Sequence, residues 1–498
     1  MKNEFKVLAT IDLHKFLFLP SSSLYKTLKP LHKERYEPEE RIVIQYPGTI
    51  PHDLEKHFRK IITVLDIPEF VISIQTEVIN QTDHQEPSVK PLFNIPDTLC
   101  PNPWTNLEFQ MEGHIRTCCA INKFIIDDQG NPINYNTTPN LNFNELYFNK
   151  SMTELRDQFR QGIKPKECSK CWFEEEQGKS SDRKNYIAEL KNIFYEIDYE
   201  SEDISNLKSL DIRLGNICNL TCRICCPEAS SSWGTEILSD VDVKNRRSHP
   251  VYLINQQAQW IRKSNSFWKE LEQHLPNIEL ILIAGGEPMM IPELLDVLHL
   301  AAELGYSQQI TLRYNTNGTI YSERAIEIWK KFKLVRLLLS IDDIFDRFEY
   351  QRTRAEWGSV VENIKKYQQE SIVDLTICCT VSIQNVLYLP ELYNWCISHG
   401  LTDIYFNLLF TPTELSIQKL TPKAKELVLN KLTSFDFGHT QNKIIPIIKL
   451  IQDGVADISN SDAFTRFMTP VDTKRGQHFS DAHIEMAEAM GYVKNISN

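Results

Sequence analysis

The chain reads as an α/β protein built around a parallel sheet that curls into a partial (β/α)6 barrel, and three observations predict it. From about residue 205, apolar runs of strand length alternate with amphipathic stretches of helical period. The runs are nearly continuous in Val, Ile and Leu, as strands of a parallel sheet with both faces covered would be. Residues able to do chemistry gather just past the ends of these runs, where barrels of this kind keep their sites.

The strand candidates are LKSLDIRL (207–214), IELILIA (278–284), QITLRYN (309–315), LVRLLLSI (334–341), VDLTICCTV (373–381) and DIYFNLLF (403–410). Six units are too few for a closed eightfold barrel, hence a partial one over residues 205–435. Upstream, RIVIQY (41–46) and FVISIQTEV (70–78) are strand-like and flank a helical pattern, DLEKHFRKIITVL (53–65). They predict a small α/β domain over residues 1–95, with NQTDHQEPSVKP (80–91) as a linker. Residues 96–204 form a small, turn-rich domain marked by cysteines, with helical periodicity through about 184–195. The tail, 436–498, is expected to be helical and ends in DAHIEMAEAMGY.

A chain of 498 residues can bury a core large enough to need no disulfides, and its length suits two to four domains. Its net charge of -12, from 54 basic and 66 acidic residues, argues against broad affinity for nucleic acid. No apolar run reaches the length of a membrane span. The N-terminal MKNEFKVLATIDLHKF does not read as a signal peptide, so a cytoplasmic location is expected. Twelve cysteines without a secretion signal point to metal or redox chemistry. All but Cys100 and Cys396 lie within four residues of another cysteine.

The segment LDIRLGNICNLTCRICCPEASSSW sets Cys218, Cys222 and Cys225 at C-x3-C-x2-C directly after the first barrel strand. Three thiolates on one loop can hold three corners of an iron–sulfur cubane, and the missing fourth protein ligand leaves one iron open to a small molecule. A zinc site is the alternative, although its usual signature is two C-x2-C pairs or mixed His and Cys ligands. The loop resembles the cluster motif of radical S-adenosylmethionine (SAM) enzymes. That resemblance implies a [4Fe-4S] cluster whose open iron chelates SAM. It also implies reductive cleavage of SAM to a 5′-deoxyadenosyl radical, which takes a hydrogen atom from a substrate, and an electron donor such as flavodoxin or ferredoxin. Many members carry an aromatic residue before the third cysteine, where this chain has Ile224. Cys226 reads as a packed bystander.

The resemblance extends to later strands. Gly285, Gly286, Glu287 and Pro288 end the second barrel strand, matching a segment that contacts the SAM amino group in the family. Asn317 lies in a Thr-Asn-Gly turn after the third strand, and either contacts ligand or simply forms the turn. After the fourth strand, LSIDD and EYQRTR offer Ser340 and Arg352 for the SAM carboxylate or ribose. Asn407 on the sixth strand is placed near the adenine. Cys378 and Cys379 are adjacent on the fifth strand, so one faces the barrel interior. Small apolar packing is the ordinary role of such cysteines; the alternative is a thiol that returns a hydrogen atom to a substrate radical.

Upstream, Cys100 is followed by a spacer, Gly113, four residues and Cys118, and then by Cys168 and Cys171 in ECSKCW. The pattern resembles the opening of SPASM and twitch modules, which hold auxiliary iron–sulfur clusters. Four cysteines fit a twitch domain with one cluster, here placed before the barrel rather than after it. The match to an N-terminal-twitch group covers about residues 96–430 and includes Arg183 in GKSSDR. Cys119 could replace Cys118 as ligand, and a structural zinc at the four cysteines remains the alternative.

Auxiliary clusters imply, by the same analogy, a substrate that is a peptide or protein, with residues 1–95 as a substrate- or leader-binding module. The alternatives are radical modification of a sugar or other small metabolite, a nucleic-acid substrate, and, in another class, a non-catalytic iron–sulfur scaffold or electron carrier. GGEP argues against the last.

Overall fold

Each barrel strand lies within two residues of its apolar run. The computed structural model describes residues 95–492 apart from 139, 179, 196 and 261–264; of the first 94 residues it describes three strands. The chain divides into two compact units, Met1–Leu92 and Phe93–Asn498. In the first, β1 (Lys6–Asp12), β2 (Glu40–Gln45) and β3 (Ile72–Gln75) pair in parallel in that order. The two expected strands are β2 and β3, and β1 is additional. The helical pattern at 53–65 and the linker at 80–91 lie outside the described residues.

The second unit holds an eight-stranded, unclosed sheet. The six expected strands are β6 (Ser209–Arg213), β7 (Leu280–Ala284), β8 (Thr311–Thr316), β9 (Leu334–Ser340), β10 (Val373–Val381) and β11 (Ile404–Leu408), paired in sequence order and all parallel. Two more come from the cysteine-marked segment. β4 (Asn106–Phe109) pairs in parallel with β6, and β5 (Ile115–Arg116) closes an antiparallel hairpin with β4 at the sheet's edge. Sequence reading missed β4 because its alternation, Asn-Leu-Glu-Phe, is only four residues long. Both polar side chains are nonetheless buried and satisfied. Asn106 donates to the Thr117 carbonyl at 2.8 Å, and Glu108 pairs with Arg116 at 2.8 Å and Arg213 at 2.7 Å.

Both faces of the sheet are covered, but differently. Ile212, Ile283, Tyr314, Leu337, Ile377 and Cys379 point outward into helix-covered cores. The alternate residues point inward and are largely polar: Asp211, Arg213, Arg313, Arg336, Asp374, Cys378 and Asn407 line a cavity. One hydrogen-bonded register row runs Glu108, Asp211, Leu282, Arg313, Arg336, Asp374 across six strands. The helices Gln441–Asp453, Asn460–Arg475 and Ile484–Met490 pack their apolar sides into the core beneath β10 and β11. Among the described residues no helix is long and apolar enough to cross a membrane.

Candidate functional site

The loop that follows β6 has no regular structure of its own, so its shape is imposed by what surrounds it. Its start is fixed by glycine. Gly215 adopts φ +80°, and a Cβ there would stand 2.1 Å from the Ala258 carbonyl oxygen. Farther on, the Thr221 and Arg223 amides donate to the carbonyls of Thr353 (3.1 Å) and Gln351 (2.9 Å). The indole N–H of Trp233 donates to the Cys222 carbonyl at 2.7 Å, and the Ser230 hydroxyl donates to that of Leu220 at 2.6 Å. Trp233 escaped sequence reading, since an indole on the helix Ser231–Ser239 reads as ordinary core.

Cys218 and Cys225 are half-buried and Cys222 is buried. Burial pushes Cys218 up, and Cys222 up to about 11 against the pull of the Arg352 guanidinium. The donors aimed at the sulfurs suit a thiolate. The Leu220 amide lies 3.5 Å from Cys218 Sγ, Asn317 Nδ2 3.9 Å from the same sulfur, and an Arg352 guanidinium N–H 3.8 Å from Cys222 Sγ. N–H groups directed at sulfur stabilise the anionic form that a metal cluster requires. In this donor set the three cysteines fit a cluster held on one loop. Among the described residues, no three His, Cys, Asp or Glu side chains close around a point fit for a single metal ion.

Gly285 and Gly286 face the loop itself. A Cβ on Gly286 would stand 2.2 Å from the Ile217 carbonyl oxygen, and the Gly286 and Glu287 amides donate to the carbonyls of Gly215 (2.8 Å) and Ile217 (2.6 Å). Pro288 is buried and begins the short turn Pro288–Met290. Glu287 is buried and its carboxylate is occupied: it accepts from the Thr316 hydroxyl at 2.7 Å, the Asn317 amide at 2.8 Å and the Met289 amide at 3.1 Å. Burial raises its pKa against those hydrogen bonds and Arg352. Glu287 thus fixes the Thr-Asn-Gly turn, which carries Asn317 to Cys218.

Arg352 is buried and held by Asp342 through a 2.7 Å ion pair. Burial alone would lower its pKa, and Asp342 and Cys222 together raise it. Asp342 also accepts from the Thr380 amide at 2.8 Å, which ties β9 to β10. Ser340 is half-buried at the end of β9, in register with Cys378. Of the two adjacent cysteines, Cys378 lines the cavity. Cys379 is fully buried on the outer face, its sulfur 3.6 Å from the Asp342 carbonyl oxygen. Asn407 lines the same cavity, in register with Thr380.

That cavity, about 580 Å³, lies between the inner face of the sheet and the cysteine-marked segment, which contributes Cys119, Lys170, Asp182, Asn185 and Glu189. Its charges are paired, some across the two walls and some within one. Glu189 binds Arg313 at 2.9 Å and Arg336 at 3.4 Å, and Lys170 binds Asp182 at 2.8 Å. Charges at alternate positions within LDIR, TLRYN and LVRL were the signal for this lining, and the apolar runs masked it.

The upstream cysteines also assemble. Gly113, at φ +91°, makes the turn between β4 and β5 and so returns the chain to Cys118. Cys100, Cys168 and Cys171 all raise the pKa of Cys118, and Cys168 and Cys171 that of Cys100, so the four thiols stand within electrostatic reach of one another. Burial is the first cause in each case and carries Cys168 up to about 12. They sit in an apolar core with Leu99, Trp104, Phe159 and Trp172. Arg183 braces it, pairing with Glu175 at 2.7 Å and donating to the carbonyls of Asp97 (3.0 Å) and Leu99 (2.9 Å). Cys119 turns away from this core toward the cavity.

Comparison with known proteins bears on the barrel. Residues 212–395 match the model of the radical SAM superfamily. The chain is 26% identical over 162 residues to GTP 3′,8-cyclase of Syntrophomonas wolfei, a match that covers 32% of this chain and 42% of the cyclase. The chain therefore spans less than half the length of that relative. Among solved structures, anSMEcpe with bound AdoMet and a Cp18Cys peptide is 16% identical, with 45% of this chain and 59% of that one covered at a TM-score of 0.30. Streptococcus suis SuiB bound to its precursor peptide SuiA is 15% identical, with 64% of each chain covered at a TM-score of 0.29.

Proposed function

We propose, from the premise that the chain is an enzyme of the radical SAM superfamily with its radical SAM domain at residues 212–395, that it removes a hydrogen atom from a peptide or protein substrate whose polar side chain enters the barrel cavity. The carrying observation is the loop of Cys218, Cys222 and Cys225, with side-chain N–H groups directed at two of its sulfurs, beside a polar cavity. Cys218, Cys222 and Cys225 would hold a [4Fe-4S] cluster, which together with SAM would supply a 5′-deoxyadenosyl radical. The chain's residues do the rest. Asn317 and Arg352 donate toward cluster ligands, Glu287 keeps Asn317 in place, and Asp342 keeps Arg352 in place. Ser340 and Asn407 are the groups proposed to meet SAM, and Cys378 is the thiol proposed to face a substrate radical. Cys100, Cys118, Cys168 and Cys171 are proposed to hold a second cluster, in a twitch-like domain that walls the cavity.

A second reading, modification of a small polar metabolite, is supported by the cavity's size and its charged lining, which suit a compact ligand. Both readings require an electron donor such as flavodoxin or ferredoxin. The test is anaerobic reconstitution with iron and sulfide, then dithionite and SAM, with 5′-deoxyadenosine as the product measured. Formation by the wild type and not by the Cys218→Ala/Cys222→Ala/Cys225→Ala variant is expected. Equal amounts from both would overturn the assignment. Short peptides encoded beside the gene, added to the same assay, separate the two substrate readings by mass change.

A further inference from the structure

Arg223 stands inside the cysteine loop, between Cys222 and Cys225, yet its side chain runs away from the proposed cluster into the C-terminal helices. Its guanidinium makes an ion pair and two hydrogen bonds there. One nitrogen pairs with Asp472 at 2.8 Å, both side chains being 1% exposed. A second donates to the Gln477 side-chain oxygen at 2.9 Å, and Nε donates to the Tyr350 carbonyl at 2.9 Å. The guanidinium carbon lies 3.7 Å from the centre of the Tyr350 ring. Asp472 is itself held from three sides, by the Tyr350 hydroxyl at 2.8 Å, the Tyr492 hydroxyl at 2.6 Å and the Phe479 amide at 2.9 Å.

The local fold explains why these groups meet. The helix Asn460–Arg475 ends at Gly476 in the left-handed conformation, φ +60°, which glycine adopts without strain. The turn sends Gln477 back across the helix end, its amide donating to the Asp472 carbonyl at 3.0 Å. A second grip lies next to the first. Arg475 pairs with Glu236 at 3.0 Å and stands 4.6 Å from the ring of Trp233, whose indole N–H holds the Cys222 carbonyl. Both grips land on residues 222–223 of a loop with no regular structure.

We propose that the C-terminal segment fastens the cluster loop from behind, with Asp472 as the positioning residue that fixes Arg223 and thereby the spacing of Cys222 and Cys225. The inference rests on the reading of those cysteines as cluster ligands. A buried ion pair is weak evidence for stability as such. This one spans about 250 residues of sequence and ends within the cysteine motif, which suits a role in geometry. Partners behind a metal ligand commonly set metal affinity by about tenfold or more.

The experiment compares wild type, Asp472→Asn and the milder Tyr492→Phe, each reconstituted anaerobically. Iron loss to a chelator is followed by absorbance, and folding by circular dichroism on the same samples. Asp472→Asn, and to a smaller degree Tyr492→Phe, are expected to release loop iron about tenfold faster or more while the circular dichroism spectrum stays that of the folded wild type. Iron loss at the wild-type rate in both variants overturns the proposal. So does iron loss that only tracks unfolding in both, because the pair then serves the core alone. A wild type that binds no more iron than the triple-alanine variant refutes the cluster reading itself, a distinct result.

Discussion

The two cysteine groups of this chain are built in opposite ways. Cys100, Cys118 and Cys171 are buried among Leu99, Trp104, Phe159 and Trp172, and each thiol's pKa is raised first by burial. Cys218, Cys222 and Cys225 lie on a loop of which two cysteines are half-buried, with N–H donors from Asn317 and Arg352 and a polar cavity nearby. A closed apolar setting favours a site that is fully ligated by protein and seldom exchanges. A loop open on one side and bristling with donors favours a site that must admit a small molecule. The ligand counts proposed above agree with these surroundings, four cysteines in the apolar core and three on the more open loop.

The sharpest way to break the comparison is to remove each group in turn. Cys218→Ala/Cys222→Ala/Cys225→Ala is expected to abolish SAM cleavage and leave the melting temperature close to that of the metal-free wild type. Cys118→Ala/Cys171→Ala, cut from an apolar core, is expected to lower the melting temperature as well. Thermal melts with metal analysis decide, and equal melts for the two variants would erase the contrast.

Next in size is the ion pair behind Cys222. Arg352→Met strands the buried Asp342 carboxylate, and losing one partner of a buried pair costs about 3–5 kcal/mol. Urea unfolding is the measurement. The double variant Asp342→Leu/Arg352→Met is expected to recover most of the loss while remaining inactive, because the donor to Cys222 is still gone. Smaller again is Gly286→Ala, whose Cβ would stand 2.2 Å from the Ile217 carbonyl oxygen. Overpacking of this kind costs about 1–3 kcal/mol, and its signature is iron loss from the triad with the quartet's metal kept.

The barrel was legible because its strands are long and apolar: VDLTICCTV coincides with β10 from end to end, and the other five lie within two residues of their runs. The G-x4-C pattern was legible because only one turn, at Gly113, brings the chain back to Cys118. What escaped was held by long-range polar contacts. β4 rests on Glu108 meeting Arg116 and Arg213, and the cavity on Glu189 meeting Arg313 and Arg336. Such pairs join residues scores of positions apart, and no local period announces them. The grip of Asp472 on Arg223 belongs to the same class.

The smallest expected effect concerns pH. His483 is buried against Phe479 and Tyr350, and burial, with Arg347 nearby, holds its pKa well below 6.5. The unfolded chain therefore binds a proton below pH 6.5 that the folded chain refuses, and stability falls as pH drops by about 1.4 kcal/mol per unit from this group. Asp343 acts in the opposite sense. Burial raises it to about 7 against the pull of Arg347, so the stability it contributes is present at low pH and lost as pH rises from about 4 through 7. The two offset each other in the wild type. His483→Asn is expected to remove the acid penalty, so its stability gains on the wild type as pH falls from 6.5 to 5 in urea titrations. Parallel curves would show that His483 protonates in the folded state.

The most direct test of an open iron at the triad is electron paramagnetic resonance of the dithionite-reduced protein before and after SAM is added. A [4Fe-4S] signal that SAM shifts is expected in the wild type and is expected to be missing from the triple-alanine variant. A signal that SAM leaves unchanged, or zinc in place of iron at these cysteines, would contradict it.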